Sequence, residues 1–143
     1  MDQQVLREYL FKEIELSQNI INRMGNNSFL VKGAAITLVA TSLLVKGKLD
    51  DTFVAFLPWL GFWYLDAYFL RVERLYRQLH VWLTKNRLTS EEYLLDLDRK
   101  SLETRFGKNI DCSLKTMFSK TLIIFYGLLL VMIFLSILIN ILF

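Results

Sequence analysis

The chain has 143 residues, 54% of them apolar, and a mean hydropathy of +0.36, more apolar surface than a soluble domain of this size can hide. Its 17 Lys and Arg against 14 Asp and Glu give a net charge of +3, too small an excess to define a nucleic-acid binder by itself. A single cysteine, Cys112, and a single histidine, His80, exclude an internal disulfide and a Cys/His zinc centre, so no metal and no cofactor is expected.

Residues 1–28 are polar and carry Asp2, Glu8, Glu13 and Glu15, unlike the short basic lead of a cleavable signal peptide, so the N-terminus is expected to be retained. Within them Leu6, Tyr9, Leu10, Ile14, Ile20, Ile21 and Met24 recur with the spacing of an amphipathic helix that lies on a membrane or packs on a partner. Asn26, Asn27 and Ser28 read as a break and a cap before the next element.

Residues 29–70 read as a two-helix transmembrane hairpin. The first span, Phe29 to Val45, has one charge, Lys32, a turn from its start, where a long side chain reaches the headgroups. The second, Phe53 to Leu70, is rich in aromatic residues and contains Pro58 and Asp66; a buried or interfacial helix is the alternative. Residues 46–51 form the polar turn between them.

Lys32 and Asp66 fall at matched depths, some 6 to 8 Å below one surface, and suit either a structural staple or a charged gate. Gly33, Thr37 and Thr41, spaced by four, make a small and weakly polar stripe for close helix packing or for lining a narrow pore.

Residues 71–120 are a basic helical segment. The pattern runs from Leu70 through Leu83 without a breaker, so the second span is expected to continue as one long helix until Asn86 to Ser90. Thr89 and Glu92 fit a capping box for a further helix from Glu91 to about Phe106, ended by Gly107, Lys108 and Asn109. Arg71, Arg74, Arg77, Lys85 and Arg87 form a juxtamembrane cluster suited to anionic lipid headgroups or, alternatively, to a nucleotide or nucleic acid. Arg74 and His80 match the bare Arg-x(4–6)-His spacing of HEPN ribonucleases, but six positions place them about 240° apart on a straight helix rather than on one face. No paired carboxylates, nucleophile elbow or Ser with a His base can be assembled, and an enzyme is not expected.

Residues 121–143 form a third, charge-free span. The fold class is therefore all-α: three transmembrane helices, an amphipathic N-terminal helix and a helical cytoplasmic segment. The weight of Lys and Arg in 71–120 puts that segment and the N-terminus in the cytoplasm and the C-terminus outside.

The stretches Arg23 to Gly33 and Phe62 to Arg77 resemble a family of short bacterial membrane proteins of poorly known role. The size, the spans and the Arg74/His80 spacing are similar to the small membrane accessory of type VI-B CRISPR systems, a resemblance that implies an oligomeric pore in antiviral defence and highlights Lys32, Asp66, Arg74 and His80. Three readings follow: a homo-oligomeric membrane effector or channel; a non-conducting anchor that recruits a cytoplasmic protein; and a HEPN-like ribonuclease. The expected partners are the lipid bilayer, further copies of the chain, and a cytoplasmic protein, nucleic-acid or nucleotide signal.

Overall fold

The structure is a computed structural model that describes residues 3–44 and 54–142. The polar turn expected at 46–51 lies outside the described residues. Among those described every regular element is helical: α1 (Gln3–Leu44), α2 (Phe56–Asn86), α3 (Arg99–Phe106), a 3-10 turn (Gly107–Asn109), α4 (Ser113–Met117) and α5 (Lys120–Leu142). The protein is all-α.

Among the described residues two helices rather than three are long and apolar enough to cross a membrane, α1 and α5. The segment expected as a further span opens α2, which starts at Phe56 and meets Arg71 and Glu73 fifteen residues later, about 22 Å along the axis and short of a ~30 Å hydrocarbon core. Asp66, Pro58 and the amphipathic Trp and Tyr rings lower its apolarity further. Pro58 does not kink α2, because it sits in the first turn, where backbone N–H groups have no helical partner to lose.

The break expected at Asn26 to Ser28 is absent, and α1 runs through it. Asn and Ser each cost only about half a kcal/mol in a helix, and the Ser28 hydroxyl that would have capped a new helix is instead bonded to the Asp66 carboxylate.

The chain divides into two compact units, Met1–Asn26 with Leu70–Cys112 and Asn27–Phe69 with Ser113–Phe143. In the first, Leu6 of α1, Val72, Leu75, Tyr76, Leu79 and Leu83 of α2, and Leu102 of α3 are buried. Their spacing on α2 is that of one helix face. The Tyr76 hydroxyl donates to the Leu97 carbonyl at 2.9 Å, and burial together with nearby Asp98 pushes the phenol pKa up.

In the second unit the buried face of α1 is Val31, Ala35 and Val39, and that of α5 is Leu122, Tyr126, Leu129 and Ile133. Val39, Ala55 and Ile133 form a core with Leu43, Phe56, Trp59 and Ile137 packed around it. The opposite faces are apolar and uncovered: Phe29, Leu30, Ile36 and Leu44 on α1, and Ile124, Leu128, Phe134, Leu138 and Ile141 on α5 are exposed.

The helix expected from Glu91 begins only at Arg99, with Asp98 as its N-cap accepting from the Ser101 N–H. The capping box does not form, since the Thr89 hydroxyl donates back to the Asn86 carbonyl. Residues 90–93 are held irregular by hydrogen bonds from a buried arginine, Arg87.

Candidate functional site

Asp66 is fully buried in the second unit, with its carboxyl among three donors. Lys32 Nζ lies 2.7 Å from Oδ2, the Ser28 hydroxyl donates to Oδ1, and the Tyr126 hydroxyl shares its proton between Oδ2 at 3.2 Å and the Phe62 carbonyl at 3.1 Å. Lys32 also donates to Ser28 Oγ at 2.6 Å and lies 5.9 Å from the centroid of the Phe125 ring. A buried carboxylate is tolerated only when paired and hydrogen-bonded in this way.

Two tryptophans set the frame around Tyr126. Trp59 Nε1 donates to the Tyr126 carbonyl at 2.8 Å and Trp63 Nε1 to the Met117 carbonyl at 3.0 Å. The Trp63 ring stacks on Tyr126 with centroids 5.9 Å apart and planes 16° from parallel. Several aromatic residues of the segment thus serve as hydrogen-bonding ties rather than as generic apolar filling. Chemically the cluster is closed: the carboxylate is neutralised, and its donors are already committed to it.

Gly33, Thr37 and Thr41 are exposed on the face of α1 opposite Val31, Ala35 and Val39. The Thr37 and Thr41 hydroxyls donate to the Gly33 and Thr37 carbonyls at 3.0 and 2.7 Å, so the stripe is polar yet satisfied within its own helix. A Cβ built on Gly33 meets nothing within 4 Å.

The basic cluster does not act as one surface. Arg71 pairs with Glu103 at 2.8 Å and exposed Arg77 with Glu73 at 2.7 Å, while Lys85 is exposed. Arg87, expected with them at the membrane surface, is a correction: its side chain is 1% exposed. All five guanidinium N–H groups are used, Nε and Nη2 on the Glu13 carboxylate at 2.6 and 2.9 Å, Nη2 also on the Tyr93 carbonyl, and Nη1 on the Ser90 and Glu92 carbonyls. Glu13 Oε1 in turn accepts the Leu95 N–H at 2.7 Å. These bonds hold Tyr93 and Leu95 at φ of 54°, a left-handed conformation that non-glycine residues avoid at a cost of about 1–3 kcal/mol each. Arg105 closes the same region with its guanidinium 4.0 Å from the Tyr93 ring centroid, and burial lowers its pKa.

Arg74 and His80 border different clefts. Arg74 lines one of about 190 Å³ with Arg77, Gln78, Asn109, Ile110 and Asp111. His80 lines one of about 390 Å³ with Gln18, Ile21, Asn22, Arg77 and Val81. His80 Nδ1 lies 3.3 Å from Ser17 Oγ, a serine and histidine that sequence spacing did not bring together. Ser17 is not an activated nucleophile: it is fully buried, and its hydroxyl donates to the Ile14 carbonyl at 2.9 Å.

Glu13, Ser17 and Tyr126 are the site residues that the sequence did not flag. Glu13 and Ser17 follow Leu6 by seven and eleven positions, on the face that α1 buries. That register was the available signal. No significant match to the chain is found among protein-family models, curated proteins or solved structures.

Proposed function

We propose that the chain is an integral membrane protein that assembles with copies of itself into an effector or channel of the bacterial inner membrane. In this reading residues 53–70 cross beside α1 and α5 as a third, aromatic span, short enough that the bilayer thins locally to match it, and residues 71–120 lie in the cytoplasm, where the excess of Lys and Arg favours them.

The observation that carries the reading is the uncovered face of α1. Gly33, Thr37 and Thr41 line up on the side of the helix that its own unit leaves open, flanked by exposed Ile36 and Leu44. Small residues matter in a membrane where another helix approaches closely, and here no helix of the same unit covers them. Identical chains usually close such a contact into a symmetric oligomer, and a head-to-tail contact closes into a ring.

Purified full-length protein in mild detergent is therefore expected to run as a discrete oligomer, and Gly33→Leu as a smaller species with the same helix content. An unchanged size in the variant would remove the stripe from the interface. The second reading, a non-conducting anchor for a cytoplasmic partner, is favoured by the closed state of Asp66, which is committed to Lys32, Ser28 and Tyr126 rather than turned to a path. Ion flux in liposomes separates the two.

A further inference from the structure

We propose that the cleft between the first unit's stretches of α1 and α2 binds a nucleotide, with Arg77 on the phosphate and the Gln18 and Asn22 amides on the base. Gln18, Ile21 and Asn22 occupy positions i, i+3 and i+4 of α1, and Arg77, His80 and Val81 repeat that spacing on α2, so each helix presents one short face. The volume they enclose, about 390 Å³, falls in the range of small-molecule sites.

The chemistry of the lining is specific. Ile21 and Val81 supply an apolar patch from each helix, suited to the two faces of a flat ring. Gln18 and Asn22, one turn apart, each offer a donor and an acceptor, the pairing that reads the edge of a base. Arg77 adds a fork that matches phosphate oxygens, and no carboxylate lines the cleft. Its Nε and Nη2 already meet Glu73 Oε1 at 2.8 and 2.7 Å, and because Arg77 itself is exposed a doubly charged anion can share the guanidinium with that carboxylate.

His80 is held for the same purpose. The Ser17 hydroxyl donates to the Ile14 carbonyl, which casts His80 Nδ1 as the donor in the 3.3 Å Ser17 contact and holds the imidazole at the wall of the cleft. The smaller cleft on the other side of Arg77 contains Asp111 and is the poorer place for an anion. The assignment does not depend on whether the protein conducts.

The test is calorimetric titration of the detergent-solubilised full-length protein with adenosine, guanosine, cytidine and uridine 5′-monophosphates, with inorganic phosphate, and with phosphatidylglycerol vesicles. At least one nucleotide should bind saturably, one per chain, and about tenfold more weakly to Arg77→Ala and to Asn22→Ala, two exposed positions whose replacement leaves the helices intact. Lys85→Ala, an exposed cation outside the cleft, should bind as the wild type does. Absence of nucleotide binding overturns the proposal, as does binding that both cleft variants leave unchanged. Inorganic phosphate binding as tightly as every nucleotide overturns the base-reading part. Vesicle binding that depends on Arg77 and Asn22 while the nucleotides give no heat reassigns the cleft to a lipid headgroup and overturns it too.

Discussion

The carboxylate of Glu13 meets the guanidinium of Arg87 at 2.6 and 2.9 Å across 74 positions of sequence, and through Arg87 it determines the path of residues 90–95. Removing either partner leaves the other charge buried without its counterion, a loss of about 3–5 kcal/mol. Glu13→Ala should therefore lower the melting temperature strongly and expose residues 90–98 to protease. The pair Glu13→Leu with Arg87→Met should recover part of the melting temperature but not the protease resistance, because the carbonyls of Ser90, Glu92 and Tyr93 lose their donor. Equal sensitivity in wild type and Glu13→Ala would show that the pair does not organise this segment.

Lys32 and Asp66 should behave as a coupled pair. Asp66→Asn and Lys32→Met are each expected to cost about 3–5 kcal/mol, and the double variant clearly less than their sum. Thermal unfolding in detergent measures the cycle. Simple additivity would separate the two residues energetically despite the 2.7 Å contact.

Glu103 bridges Arg71 and Arg99, and the Arg71 hydrogen bond is the main reason that its pKa lies below the usual carboxylate value. A depressed folded pKa adds stability above the unfolded value of about 4.3 and loses it as pH falls through the folded one. Wild type should thus lose its advantage over Glu103→Gln as pH drops from about 5 to 3. The effect is small, since the side chain is 33% exposed and screened. A difference between the two proteins that stays constant over that window would contradict the assignment.

Gly33 separates folding from assembly. Within one chain a methyl group there meets nothing, so Gly33→Ala should stabilise the helix by about 0.5–1 kcal/mol. Gly33→Leu, on the same exposed face, should instead weaken association between chains. Thermal unfolding in detergent checks the first and cross-linking yield in membranes the second.

The helical class, the long α2 and its stop at Asn86 were legible in the sequence because uninterrupted apolar periodicity and a breaker are local signals. That Lys32 and Asp66 meet was legible because each is a lone charge near one end of an apolar run. Tyr126 was not, since nothing within a charge-free span distinguishes a tyrosine bonded to a carboxylate from one at an interface. Glu13 and Arg87 were obscured because single charges read as solvent-facing until a distant partner is known. Thr89 and Glu92 had the right spacing for a cap, but the tertiary bonds of Arg87 outweigh a local motif worth about 1 kcal/mol.

Conductance of the purified full-length protein in a planar lipid bilayer tests the central proposal most directly. The account predicts discrete current steps that Gly33→Leu abolishes without preventing insertion, because in the proposed assembly the stripe at Gly33, Thr37 and Thr41 is where copies meet. A silent bilayer into which the wild-type protein has demonstrably inserted would contradict it and leave the anchor reading in its place.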